Sequence, residues 1–380
     1  MNLVKAALTN TTVKVKFRGV LSNSFKLKTG VRQGDGLSPI LFNCLLEKLI
    51  REWTKTLKDD SGLRIGYKKD KLTVHCLAFA DDLTLLVSSV EEATHQLSSL
   101  NYIAAKVGLK IAINKTQFIS NIRDAPKSIP LGDKAVRRTN SFKYLGEWIT
   151  PNLNEDLAMN NRCTKLERAY HLSKNLYKSK SLSMNLKIRH YSTVVRPSVL
   201  YASECLNMVR KGQLRKLELK DQKILRKIMG PINEEGKYRI RHNNELYEQV
   251  ESITTAMRKR RLIFYGHVVR IDNQRLTSRI FNTVSRGKAT NAKWTKLVRK
   301  DLEQLDIDPS TIYDRNKYRA LIRTSDSLQS LTAKAVRPGL GVKWTQERKD
   351  IHSTRMKEYW AKKKAARDKN PVVHSRPKRS

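Results

Sequence analysis

The 380-residue chain has no two cysteines close enough in sequence to form a zinc knuckle or a redox pair, for Cys44, Cys76, Cys163 and Cys205 are scattered. That spacing argues against a zinc ribbon and a disulfide scaffold, and all four read as reduced thiols of an intracellular protein. No run of eighteen apolar residues exists, so no membrane-spanning helix is expected. The opening Met1-Asn-Leu-Val-Lys5 lacks the apolar core of a secretory leader. No lipidation motif or internal repeat is present. Acids are missing from one stretch altogether: none precedes Asp35.

Positive charge is abundant. Lysine and arginine number 76 against 35 acids, a formal net charge of +41. Residues 1–160 carry 24 basic and 15 acidic side chains, an ordinary globular balance. Residues 161–380 carry 52 and 20. An excess that large favours a polyanion, and with no membrane motif the partner it points to is nucleic acid. Hydrophobic residues make up 39%, lean but enough for a core. The length allows two or three domains.

Periodicity gives a coarse map. Residues 3–9 have mild helical spacing, and residues 12–18 alternate strictly and read as one strand. A turn at 21–23 leads to a second short strand at 24–28. Ser38 followed by Pro39 predicts a helix start, running into a buried helix through Ile50. Residues 90–107 read as an amphipathic helix closed by Gly108. A short strand is expected at 109–113 and a hairpin over 141–149. After Pro151 the pattern turns helical, over 155–180, 182–210, 212–229, 244–270, 291–305 and 314–330. Gly230-Pro231 breaks that series. The charge-rich tail from about residue 346 reads as disordered or as a single basic helix, and Arg376-Pro-Lys-Arg379 is a weak nuclear-import pattern. The fold class is α+β, with strands and helices mixed to about residue 150 and helices thereafter.

Within that map one stretch carries chemistry. Residues 73–87, Thr-Val-His-Cys-Leu-Ala-Phe-Ala-Asp-Asp-Leu-Thr-Leu-Leu-Val, read as strand, tight turn and strand with Asp81 and Asp82 at the tip. Taken alone, such a pair is most simply a solvated turn, because Asp favours turns. On a rigid hairpin the same carboxylates are hard-oxygen ligands for Mg²⁺. Three further segments decide between these. They are Gly30-Val-Arg-Gln-Gly-Asp-Gly-Leu-Ser-Pro39 before the pair, and Gly108-Leu-Lys-Ile-Ala-Ile-Asn-Lys-Thr116 and Phe142-Lys-Tyr-Leu-Gly146 after it.

In that order and spacing the four segments resemble the palm of a reverse transcriptase, an RNA-directed DNA polymerase, from a non-LTR (LINE-like) retrotransposon of the jockey/RTE-like kind. The likeness covers most of residues 1–150 and continues weakly beyond. It implies a nucleotide and template pocket at Arg32, Gln33, Gly34, Ser38 and Pro39. It implies metal ligation by Asp81 and Asp82, with Mg²⁺ or Mn²⁺ as cofactor. Lys115 would face the nucleotide phosphates, and Tyr144, Leu145 and Gly146 would grip the primer end. Read without the likeness, the glycine segment is a turn plus a helix start, Lys115 a solvated side chain, and Tyr144 part of a buried aromatic strand. Implied partners are an RNA template, a DNA primer or RNA–DNA duplex, and dNTPs, at a nuclear or cytoplasmic address and with no membrane. The oligomeric state and the role of residues 231–345 are left open.

The same likeness implies one more aspartate, on a strand before the glycine segment. The 29 residues before Gly30 hold neither Asp nor Glu. Asp35 lies inside the glycine segment and is no substitute. The expectation is an N-terminally truncated, partial palm at 1–150, crippled by loss of the first metal-binding Asp. A thumb-like helical region follows at 151–230, then a basic helical region at 231–345 and a tail at 346–380. The alternative is a catalytically inactive nucleic-acid-binding remnant or co-opted protein.

Overall fold

The computed structural model describes residues 4–5, 8–9, 11–27, 29–66, 72–206, 211–286 and 293–333, and of 211, 284–286, 293 and 326–333 it describes the backbone alone. The expected helix at 3–9 and the basic tail lie partly or wholly outside these residues. The chain divides into two compact units, Met1–Phe142 and Lys143–Ser380. The α+β expectation holds, with short sheets and helices in the first unit and helices dominating the second.

In the first unit, β1 (Thr12–Val13) pairs antiparallel with β4 (Phe25–Lys26), and β2 (Lys16–Phe17) with β3 (Val20–Leu21). The single strand expected over 12–18 is therefore broken in two. Its hairpin closes at Arg18 and Gly19, both at positive φ, rather than at 21–23. Helix α1 (Ser38–Thr54) starts where Ser38-Pro39 predicted. β5 (Leu63–Ile65) pairs with β6 (Leu72–Val74), and β7 (Cys76–Phe79) with β8 (Asp82–Leu85). Helix α2 (Val90–Lys106) is capped by Ser89, whose Oγ accepts from the Glu92 N–H at 3.1 Å. It ends just before Gly108, at φ +76°. β9 (Gln117–Phe118) runs parallel to β11 (Lys134–Arg138), which pairs antiparallel with β10 (Ser128–Leu131).

Apolar residues at helical spacing hold this unit together. Leu49 and Trp53 of α1 meet Leu100 and Ala104 of α2, with Cys76, Leu83 and Leu85 packed against them. The Trp53 indole N–H donates to the Gln96 carbonyl and to Ser99 Oγ, each at 3.1 Å, so its one polar atom is satisfied where the ring is fully buried. A second cluster joins Leu97 to Ile129, Leu131 and Val136. Residues 109–113 form no strand, contrary to expectation. Ile111 and Ile113 still pack inward, but the backbone turns at 113–115 and Lys115 N bonds back to the Ala112 carbonyl at 2.9 Å.

In the second unit, β12 (Phe142–Tyr144), which starts at the division, and β13 (Glu147–Ile149) form the hairpin expected over 141–149. The helices are α3 (Asp156–Leu172), α4 (Lys174–Lys178), α5 (Met184–His190), α6 (Pro197–Leu200), α7 (Lys211–Met229), α8 (Asn243–Tyr247), α9 (Ile253–Arg270), α10 (Leu276–Arg286), α11 (Lys293–Gln304) and α12 (Arg315–Ala333). The helix expected over 182–210 is interrupted. Pro197 has no N–H to continue the ladder, and a π-turn at Tyr191–Val195 precedes it. After Gly230 a hairpin of β14 (Ile232–Glu234) and β15 (Lys237–Arg239) separates α7 from α8. Neither that hairpin nor α10 was read from the sequence.

Leu166, Tyr191, Val195, Leu217 and Leu225 centre the larger core of this unit. Leu262, Val298, Tyr318 and Ile322 centre a second one. Buried charges are paired. Asp221, wholly buried, accepts from Arg196 Nη2 at 2.6 Å and Nε at 3.1 Å and from the Tyr191 hydroxyl at 2.6 Å. Burial pushes the Asp301 carboxyl above its usual range, against the pull of Arg261 and Arg258, which both pair with it.

Candidate active site

Strand pairing places the two aspartates. In the β7–β8 hairpin Phe79 faces Asp82, Ala78 faces Leu83 and Cys76 faces Leu85, leaving Ala80 and Asp81 as a two-residue loop. Leu83, Leu85 and Cys76 anchor the hairpin on the α1–α2 core. Ala80 sits at φ +49°, a conformation that costs an L-residue about 1–2 kcal/mol. A backbone held in a costly conformation is a common mark of a functional turn. Both carboxylates are exposed, and neither makes a hydrogen bond or ion pair among the described residues. Opposite the core, Phe79 is 63% and Leu77 39% exposed, so the tip offers an apolar face beside its two charges.

The glycine segment forms a loop leading into α1. Gly30 and Gly34 stand at φ +89° and +91°, and nothing lies within 4 Å of a side chain added at either. Glycine is thus required for backbone shape and leaves open space at Gly34. Asp35 Oδ1 accepts from the Leu37 N–H at 3.1 Å, closing the turn before the helix. Ser38 is buried, and its Oγ has no hydrogen-bond partner among the described residues. Arg32, Gln33 and Pro39 are exposed. Lys115 is exposed in the turn that follows Ile113.

Tyr144, Leu145 and Gly146 lie in the second unit's hairpin. Leu145 and Gly146 are its two-residue loop, both at positive φ (+46° and +88°), the signature of a type I′ turn. Four contacts hold this loop to the helices of its own unit, one of them from Lys165 Nζ on α3, which donates to the Gly146 carbonyl at 3.5 Å. Tyr201 Oη donates to the Leu145 carbonyl at 3.0 Å, and a Cβ on Gly146 would stand 3.3 Å from the Tyr201 ring. Arg162 on α3 reaches the Glu147 carboxylate at 2.9 Å, an ion pair without hydrogen-bond alignment, and donates to the carbonyls of Val199 and Tyr201. The sequence reading missed Arg162. Its signal was there: it falls on the same helical stripe as Met159, Cys163 and Leu166, where only a paired charge survives burial.

Residues 2–149 match the family of reverse transcriptases (RNA-dependent DNA polymerases). Residues 2–149 are a reverse transcriptase domain of the non-LTR, LINE-like retrotransposon kind. The chain is 24% identical over 265 residues to a transposon-derived protein of Caenorhabditis elegans, covering 65% of this chain and 94% of that one. It is 30% identical over 212 residues to the Pol polyprotein of the type-2 retrotransposable element R2DM of Drosophila melanogaster. It is 25% identical over 242 residues to the RNA-directed DNA polymerase of the mobile element jockey of Drosophila funebris. The matched stretches are 53% and 60% of this chain but only 18% and 25% of those two proteins.

The reverse transcriptase domain supplies hard-oxygen donors of the right chemistry for a divalent cation at Asp81 and Asp82. It does not supply a full ligand set: among the described residues no three His, Cys, Asp or Glu side chains are grouped to share a metal. Among the described residues no helix is long and apolar enough to cross a membrane.

Proposed function

We propose that this chain acts as an RNA-directed DNA polymerase, extending a DNA primer on an RNA template with dNTPs. The observation that carries the proposal is the pair of exposed, unpaired carboxylates on a strained hairpin tip inside the matched domain. Asp81 is the principal ligand for Mg²⁺ or Mn²⁺, with Asp82 beside it. Bound metal supplies charge neutralisation at the transferring phosphate. Arg32, Gln33, Gly34, Ser38 and Pro39 take the nucleotide and template. The open space at Gly34 and the unpartnered Ser38 hydroxyl support that assignment. Lys115 offsets phosphate charge, and Tyr144, Leu145 and Gly146 hold the primer end.

One observation favours a second reading, nucleic-acid binding without chemistry. Among the described residues no group of three donors surrounds Asp81 and Asp82, so no third protein ligand stands beside them. Losing a single electrostatic contributor costs about 10²–10³ in rate. Primer extension on an RNA template separates the two. Template-dependent synthesis that requires Mg²⁺ and disappears in Asp81→Ala supports the polymerase. Absent synthesis alongside tight, salt-sensitive binding of RNA or DNA refutes it.

A further inference from the structure

The most basic run in the chain is not the best phosphate site. Arg258, Lys259, Arg260 and Arg261 each have an acidic partner: Asp301, Glu251, Glu204 and again Asp301. Among the other arginines of the same unit that lack one among the described residues, three stand together. Arg270 ends α9, and Arg315 and Arg319 lie one turn apart at the start of α12. No ion pair is made by any of the three among the described residues.

Packing brings them together. Tyr318 crosses α9 so closely that its ring would stand 2.6 Å from a Cβ on Gly266, and its hydroxyl donates to the Leu262 carbonyl at 3.0 Å. Arg270 folds back over the same Gly266, with Nη1 3.0 Å from that Cβ position, and donates to the Ile312 carbonyl at 2.5 Å. Arg319, next to Tyr318, has a buried Nε with no acceptor among the described residues. Burial, and then the positive charges of Arg315 and Arg319, push the Arg270 guanidinium below its usual value. The acid next to Arg315, Asp314, accepts through Oδ1 from the backbone N–H groups of Asn316 and Lys317 at 3.0 Å each and makes no ion pair among the described residues.

The arrangement is unfavourable in the empty protein. Like charges at i and i+4 repel, and Arg315 adds to the positive end of the α12 dipole. A phosphate would relieve both and give the guanidinium forks their natural bidentate partner. We propose that Arg270, Arg315 and Arg319 form a phosphate-binding site that holds the backbone of a nucleic acid. The site requires neither polymerase turnover nor the aspartate pair.

The test compares R315Q/R319Q with K174Q/K178Q, which removes two charges from exposed lysines of the same unit. Arg270 is left in place because it holds the Ile312 carbonyl. Binding of a labelled oligonucleotide duplex to the full chain is followed by anisotropy from about 50 to about 200 mM salt. R315Q/R319Q is expected to weaken binding about tenfold. Its log–log salt slope should be shallower by about 0.9, the loss of one phosphate contact. K174Q/K178Q should keep the wild-type slope. Equal losses in the two variants, or none in R315Q/R319Q, overturn the site. Inorganic phosphate that stabilises wild type but not R315Q/R319Q, with duplex affinity unchanged between them, makes it a free-anion site and overturns the backbone assignment. Should R315Q/R319Q unfold, R315K/R319K carries the test: the slope persists while affinity falls severalfold, and wild-type affinity overturns the proposal.

Discussion

Arg162 is the residue on which the proposed primer-gripping loop depends, and replacing it by methionine should release that loop. The side chain is 1% exposed and serves three acceptors: the Glu147 carboxylate and the carbonyls of Val199 and Tyr201. Burial holds its guanidinium below the usual value while Glu147 pulls it back up, and it stays charged at neutral pH. Methionine fills most of the volume, so little cavity cost arises. Two carbonyls are left without donors, at about 1–3 kcal/mol each. Glu147, whose side chain is 21% exposed, can turn toward water and adds less. The sum is about 2–6 kcal/mol, which brackets the ~3–5 kcal/mol seen when one partner of a buried pair is removed. Hydrogen exchange read by mass spectrometry should show residues 142–149 and 197–206 losing protection by that amount. Residues 38–54 and 90–106 of the other unit should be unchanged. Arg162→Lys keeps the charge but not the fork and should recover about half. If R162M exchanges within about 1 kcal/mol of wild type in those segments, the docking argument is wrong.

Two further outcomes follow from the same structure. Asp221→Asn leaves Arg196 buried with its charge uncompensated and should cost about 3–5 kcal/mol in urea unfolding, whereas the double change D221L/R196M should come close to neutral. The Glu245 carboxyl is held down to about 2 by hydrogen bonding to Arg239 first, with the His242 N–H adding to it. A depressed carboxyl stabilises the folded state above its ordinary value and loses that contribution as pH falls through the depressed one. The difference in melting temperature between wild type and Glu245→Gln should therefore hold above about pH 4.5 and close as pH approaches 2.

Much of the fold was legible because its helices obey one period. Ser38-Pro39 and Gly108 marked their boundaries correctly, since cap and breaker chemistry is local. The hairpins at 76–85 and 142–149 were legible for the same reason: apolar runs flank a two-residue turn. Strand continuity was not legible. Residues 12–18 alternate without fault, yet the strand breaks because Arg18 and Gly19 turn the chain back. Residues 109–113 are apolar enough for a strand, and their side chains do pack inward, but they have no ladder partner. The break before Pro197 could have been read from the missing N–H alone. In the site, sequence found the carboxylates and the glycines but not the supports, because Arg162, Glu147 and Tyr201 meet only in three dimensions.

Charge was the least faithful signal. The excess after residue 160 pointed to a polyanion, and the run Arg258-Lys-Arg-Arg261 was its densest part. That run is where the fold spends its cations on itself. Arg258 and Arg261 close on one buried aspartate, while Arg260 and Lys259 reach acids 56 and 8 positions away along the chain. A cation already paired with a carboxylate must give up that pair to meet a phosphate, so it adds little to phosphate affinity. Among the arginines left for a partner are Arg270, Arg315 and Arg319, which the fold gathers without an acid, although Arg270 lies far from the other two in sequence and none of them stands out there. For a chain this basic, phosphate contacts are set by which charges remain uncompensated, and the salt slope counts those rather than the composition.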